Sequence, residues 1–268
     1  MKRNWEVKEL IEYWTLLPSE LALLGNKTGA TRLGFAVSLK YFQFETKFPA
    51  KKPDIPFPVL SHLAAQVNVP SEEYQEYDWH TRSSRYHRHQ IREYFGFRAC
   101  VATDVKTLFD LLVEQVLPYE ADLEHLKEIV AERFLNLKVE PPTDGRIERL
   151  IRSAIHTYET NFFQTIHLHL SAESRTGIDI LLETSDLEEE NSTKPSLFQY
   201  LNSEPGRASL DNLLSEITKL EHLRKINLPD ELFANVSPKV LQNYARRAAT
   251  EPPREIRSHP EPIRYTLV

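Results

Sequence analysis

From Thr31 to Phe44 the chain is apolar on nearly every face, which no surface element tolerates. Wound at about 100° per residue, Phe35, Val37, Leu39, Tyr41 and Phe42 point in different directions, so this helix must be surrounded. The spacing predicts a buried central helix whose shell comes from the neighbouring segments. Those are short amphipathic stretches at 6–17 and 19–24, separated by Pro18, then a polar break from Asn26 to Gly29. Pro49, Pro53, Pro56 and Pro58 follow as a stiff connection. Val59 to Val67 reads as a helix, and so does Arg82 to Phe95, with Gly96 as its C-terminal cap.

Further along, Asp104 reads as the cap of a helix to Val116, interrupted by Pro118, and Asp122 to Leu137 reads as the next one. A turn over 139–145 containing Pro141, Pro142 and Gly145 precedes a helix from Arg146 to about Leu170. Two helices joined by a short Pro/Gly turn suit a helix-turn-helix arrangement. Residues 183–194 break the pattern. Glu183, Asp186, Glu188, Glu189 and Glu190 have no basic residue among them, which predicts a solvated linker. Amphipathic helices are expected again at Leu210 to Ile226 and Ser237 to Ala249. The last residues, 261–268, look like a helix cut off after its first turn, which reads as an artificial end.

Glycine numbers only 7 in 268 residues, so glycine-rich phosphate loops have little material, and the abundant Leu, Glu, Lys and Arg favour helix. Cys100 is the single cysteine, which rules out an internal disulfide and a cysteine-based zinc site and fits a reducing cytoplasm. No run of about 18 apolar residues suggests a membrane span, and the N-terminus lacks the apolar core of a signal peptide. The net charge of −6 argues against nucleic acid only until it is localised. Residues 1–105 carry 14 Lys and Arg against 12 Asp and Glu, while 106–182 carry 8 against 13 and 183–268 carry 11 against 14. The excess of acid over base lies outside the first third.

Within that third, Arg82 to Phe95 concentrates base. Arg82, Arg85, Arg88, His89 and Arg92 fall on one side of a helical wheel, and Ile91, Tyr94 and Phe95 on the other. Guanidiniums in a row suit phosphates and guanine edges, and Glu93 is the one acid available inside the helix to neutralise them. Arg146, Arg149, Ser153 and His156 repeat the design on a narrower face, with Thr143 and Asp144 in the preceding turn, where a recognition helix contacts bases. An ordinary solvated surface helix is the competing explanation for that second face. Lys27 and Arg32 complete the candidate DNA-binding set. His167 and His169, two apart on a helix, point about 200° from each other and do not share one ion readily. No metal site, catalytic residue or cofactor is assigned to this chain.

Three stretches then carry a family resemblance: Ala30 to Gln43 followed by Phe48-Pro49, Arg88 to Arg98, and a C-terminal set at 236–239, 244–253 and 258–267. They resemble, in order, the N-terminal region of the Tn-three family of replicative transposases. The resemblance implies binding of double-stranded DNA at the terminal inverted repeats of a transposon in a bacterial cytoplasm. It implies that cleavage belongs to a later RNase-H-like domain with an acidic triad and a divalent metal, magnesium, and none of this chain's acids is assigned to that triad. The expected fold is all-α, in consecutive small helical bundles. A first DNA-binding domain is expected over 1–103 and a second, helix-turn-helix-like one over 104–182. The acidic linker 183–194 and a dimerisation or linker region over 195–268 complete the chain. A protein-interaction or homodimerisation scaffold without direct DNA contact is the alternative, suggested by the acidic second half and the segment 210–226.

Overall fold

Helix α3 (Gly29–Glu45) is the axis of the first half, and every residue from Leu33 to Phe42 is buried. The computed structural model describes residues 2, 4–49, 54–183 and 196–268. Pro53 of the proline-rich connection and all of the acidic stretch except Glu183 lie outside the described residues. The chain divides into two compact units, Met1–Val105 with Glu128–Ile147, and Lys106–Lys127 with Glu148–Val268.

In the first unit, α1 (Val7–Trp14), α2 (Pro18–Leu24), α4 (Phe57–Val67) and α5 (Arg82–Tyr94) surround α3. Pro18 occupies the first turn of α2, where its missing N–H costs nothing. Leu10, Trp14, Leu24, Val59, Leu63 and Ile91 close the core, at about 1.5–3 kcal/mol for each large side chain buried. One ion pair sits inside it. Lys40 and Glu20 are both nearly solvent-free with 3.4 Å between charged atoms, and Glu20 also accepts from the Leu17 N–H at 2.8 Å. Helices α3 and α4 both end on left-handed residues, Thr46 and Asn68, whose N–H groups return to the last turns.

Gly96 (φ 71°) ends α5, as its position suggests. Directly after it, Arg98 pairs with Val139 in a parallel bridge, through Arg98 N–H to Lys138 O at 2.9 Å and Glu140 N–H to Arg98 O at 2.8 Å. This bridge ties 128–147 back to the first unit.

The second unit is built on the long helix α8 (Asp144–His169), whose first residues still belong to the first. Helices α6 (Ala102–Leu111) and α7 (Leu123–Asn136) likewise pass through the division. The expected helix to Val116 is α-helical only to Leu111 and finishes in a π turn, Leu112–Val116, ahead of Pro118. Asp104 does act at its start, accepting from the Val101 N–H at 2.9 Å. The unit continues with α9 (Ala172–Leu182), α10 (Leu197–Leu201), α11 (Leu210–Lys225), α12 (Pro238–Thr250), α13 (Pro253–Ser258) and α14 (Glu261–Leu267). Ser171, Ser209 and Ser237 cap α9, α11 and α12 through their side-chain oxygens.

The chain is all-α, as expected, but its bundles do not follow the sequence in series. The break expected after 103 lies close to the observed one after Val105, yet 106–127 joins the C-terminal half and 128–147 returns to the N-terminal one. Nor do 104–182 and 195–268 form separate bundles. Phe162, Phe163 and Ile166 of α8 share one core with Ile178, Phe198, Ile226 and Tyr265. The reason is the width of the aromatic face of α8, where Phe162 stacks on Tyr158 and on Tyr244 of α12.

Candidate nucleic-acid interface

Helix α5 owes its position to two polar residues. Thr81 caps it, its hydroxyl accepting from the Ser84 N–H at 3.1 Å. Ser84 is fully buried and donates to the Trp79 carbonyl at 2.7 Å. One turn later His87 is buried against Phe35 and stacked on Tyr77, whose hydroxyl lies 2.9 Å from its Nδ1. Ile91, with no exposed surface, completes the inward stripe. Serine and histidine enter this core because each finds a hydrogen-bond partner outside the helix.

That stripe decides which bases look outward. Opposite it stand Arg82, Arg85, Tyr86 and His89, all exposed, lining a shallow depression. Among the described residues Arg82 and Arg85 make no ion pair, and Glu93 approaches only His89, at 3.8 Å. Arg88 and Arg92 lie on the flank instead. The Arg88 guanidinium sits over the rings of Phe48 and Trp79 at 5.3 and 5.7 Å, and its Nε is buried without a hydrogen-bond partner among the described residues. Arg92 is held by Glu140 at 2.7 Å. Of the expected anchors, Ile91 is buried and Phe95 stacks on Phe42, while Tyr94 is partly exposed and meets Ser19 through its hydroxyl at 3.0 Å.

Lys27 and Arg32 lie elsewhere. The Lys27 amine is buried over the Phe35 ring at 4.2 Å, donating to the Leu23 carbonyl and to Gln90, and burial lowers its pKa. Arg32 is half-buried, its Nε donating to the Val67 carbonyl at 3.2 Å. Both cations serve the interior of the first unit.

On α8, Arg146, Arg149, Ser153 and His156 are all exposed, as the wheel predicts, and Thr143 stands at the start with its carbonyl accepting from Arg146 and Ile147. Asp144 pairs with Lys47 at 3.0 Å. A recess of about 850 Å³ in the first unit is walled by Tyr41, Phe48, Arg88, Cys100, Glu140 and Arg146. Its walls mix acid and base, so it has no single-signed potential for an anion, and burial pushes the Cys100 thiol up. His167 stacks on Tyr265, and His169 donates to the Thr165 carbonyl at 2.7 Å. Among the described residues no group of three or more His, Cys, Asp or Glu side chains could hold a metal ion. No helix among them is long and apolar enough to cross a membrane.

The buried histidine gives the first unit an acid sensitivity. Burial, aided by the nearby Lys27 charge, lowers His87 from 6.5 to about 4. The folded state then binds fewer protons than the unfolded one, so the full stability is present above pH 6.5 and is lost as pH falls towards 4. Between pH 7 and 5 the loss is about 2 kcal/mol. All three tryptophans, Trp5, Trp14 and Trp79, lie in the first unit, so tryptophan fluorescence reports its unfolding alone. The denaturation midpoint is expected to fall across this range, and His87→Gln is expected to flatten the dependence. An identical pH slope in the variant would place the titrating group elsewhere.

A family model described as "Domain of unknown function (DUF4158)" matches residues 1–154. Along nearly its whole length the chain is also similar to curated transposases. It is 26% identical to the transposase for transposon Tn3926 of Escherichia coli, over 97% of this chain and 26% of that protein. It is 24% identical to the transposase for transposon Tn21 of Escherichia coli, over 97% of this chain and 26% of that one. With the transposase for transposon Tn1546 of Enterococcus faecium the identity is 22%, over 96% of this chain and 26% of the relative. The chain spans about a quarter of the length of these relatives.

Proposed function

We propose, from the premise that this chain belongs to the DUF4158 family, that it serves in transposition by recognising the DNA ends of a transposon. The observation that carries this proposal is the outward row on α5, where Arg82 and Arg85 stand without ion-pair partners among the described residues, beside His89 and Tyr86. Unpaired guanidiniums on a rigid helix suit a phosphate backbone, releasing counterions as they bind. Tyr86, with 65% of its surface exposed, adds a flat apolar ring with a polar tip. On α8 the same role extends to Arg146, Arg149 and Ser153, with Thr143 at the first turn as in helix-turn-helix proteins.

The overall charge of −6 does not exclude this role, because the net negative charge is carried after residue 105 and the row on α5 lies before it. The divalent metal that the resemblance assigns to a later domain finds no ligand set among the described residues. Recognition is the work proposed for these residues, and strand cleavage is assigned by the resemblance to the later domain.

Fluorescence anisotropy with a duplex carrying the terminal inverted repeat, beside a scrambled duplex of equal length, tests the assignment. Tighter binding to the repeat is expected, with log affinity falling linearly in log salt. Addition of magnesium to the bound complex is expected to leave the DNA intact. Equal affinity for both duplexes, or specific nicking by this chain, would overturn the assignment.

A further inference from the structure

In the second unit, α8, α12 and the stretch before α7 line a recess of about 250 Å³. Leu117, Ile155 and Val240 give it aliphatic walls, and Tyr158 and Tyr244 add two rings. One edge is fastened in place. Glu120 accepts from the Ala121 and Asp122 N–H groups at 2.9 Å and from the Lys239 amine at 2.7 Å. The Ser237 N–H reaches the Pro118 carbonyl at 2.9 Å, so 117–122 is tied to the start of α12. The polar side chains of the lining are nonetheless mostly idle. Glu159 and Asn243 make no side-chain hydrogen bond or ion pair among the described residues, and the hydroxyls of Tyr158 and Tyr244 have no partner among them either. Apolar walls with a few unsatisfied polar groups are the makeup of a small-molecule site.

Two charged side chains line the recess, and they are not equivalent. Arg247 is engaged: its Nε donates to Glu251 at 2.8 Å, and Glu251 also meets His259 at 2.7 Å. Glu159 has no such partner among the described residues. Its charge reaches the neighbouring ring, for burial raises the Tyr244 pKa, Glu159 raises it further, and Arg247 lowers it by less. The sign of the recess is therefore negative. We infer that it is a binding site for a primary alkylammonium, with the charged head at Glu159 and the methylenes against Leu117, Ile155 and Val240. The three N–H donors of an ammonium match three idle acceptors, the Glu159 carboxylate, the Asn243 side-chain carbonyl and the Tyr244 hydroxyl oxygen. The tyrosine faces attract the same charge. Other chemistries fit less well. An anion meets the unpaired carboxylate, a neutral apolar molecule leaves that carboxylate desolvated without a partner, and a guanidinium brings five donors to three acceptors. A free aliphatic amine and the lysine side chain of another protein share the required group. The site needs no DNA, so it stands or falls separately from the proposed function.

Titration of butylamine with the whole chain, without DNA and at low salt, tests the site by ligand NMR. Saturable binding is expected, with Kd near about 1 mM. From propylamine to hexylamine the affinity should rise about two- to fourfold per methylene, because each one is buried on the aliphatic wall. Glu159→Gln is expected to weaken butylamine at least about tenfold. Glu173→Gln, an exposed acid on α9, should leave it unchanged, which separates the site from general attraction to an acidic chain. Asn243→Asp places a second carboxylate in the exposed part of the lining and is expected to tighten binding at least about threefold, a gain that misfolding cannot mimic. A further arm uses Nα-acetyl-lysinamide. Binding as tight as that of butylamine assigns the site to a lysine side chain, and much weaker binding assigns it to a free amine. Butyrate or butanol bound as tightly as butylamine overturns the inference. So does Glu159→Gln with wild-type affinity, or an affinity that ignores chain length.

Discussion

Gly34→Ala is expected to destabilise the first unit by about 3 kcal/mol, a large loss for one methyl group. A Cβ built at Gly34 falls 2.3 Å from Cγ and Cδ2 of Tyr77 and 2.6 Å from its Cε2, inside the distance any two carbons tolerate. Neither partner has room to retreat. Gly34 lies in the fully buried stretch of α3, and the Tyr77 ring is 4% exposed, stacked on His87 and near Trp79. Shifting the ring breaks the bond between its hydroxyl and His87, which leaves buried polar atoms unpaired at about 1–3 kcal/mol, and opens a gap beside α5. Opposing this, alanine is the better helix former by about 1 kcal/mol, so the steric and hydrogen-bond loss wins. Gly145 is the control. It lies in the first turn of α8 with nothing within 4 Å of a Cβ, so Gly145→Ala is expected to leave stability unchanged or raise it by up to about 1 kcal/mol. Urea denaturation followed by tryptophan fluorescence measures both variants. A Gly34→Ala midpoint equal to that of wild type would mean that the close approach of α3 to Tyr77 is not present in solution.

Gly34 also marks the border between what sequence discloses and what it does not. The burial of α3 is legible because its residues are apolar all round, and helix ends are legible where a cap is local: Gly96, Thr81 and Ser237 act within a few positions. The contact of Gly34 with Tyr77 crosses the fold and has no local signal. The same is true of Ser84 and His87. A wheel puts them on the side of Ile91, but their polarity speaks for solvent, and only their partners Trp79 and Tyr77 reveal why they enter the core. They broaden the inward stripe of α5 without turning it, and what sets Arg88 and Arg92 apart from Arg82, Arg85 and His89 is what the first two touch, Phe48 with Trp79 and Glu140. Lys27 is misread for a related reason, because a cation over an aromatic ring looks the same in sequence as one in water. Interleaving of the two units escapes notice altogether, since the parallel bridge at Arg98 and Val139 joins segments with no shared pattern. For α11 the periodicity locates the helix and its apolar stripe correctly, but the direction of the stripe is set by Ser215 and Lys219 bonding to residues near α10.

The different surroundings of the arginines on α5 yield the prediction that separates its outward row from its flank. Arg82→Ala combined with Arg85→Ala is expected to weaken binding to the terminal repeat roughly a hundredfold near physiological salt, and to reduce the slope of log affinity against log salt by about 2, one for each phosphate contact. If either arginine pairs with a guanine edge, its single variant costs about 1–3 kcal/mol and relaxes preference at one base pair. Arg92→Ala is expected to behave differently. Its guanidinium is committed to Glu140 at 2.7 Å with only 17% of the side chain exposed, so the salt slope should stay near wild type. Its effect should appear instead in the stability of the first unit, because removal leaves Glu140 partly buried and unpaired. Arg88 is intermediate: lost packing on Phe48 and Trp79 should lower the midpoint of denaturation, with a change in salt slope well below 1. Salt titrations of the double variant, Arg92→Ala and Arg88→Ala on one duplex therefore give a ranking. If Arg92→Ala cuts the slope as deeply as the Arg82 and Arg85 pair, the DNA lies against the flank of α5, and its outward row is not the reading surface.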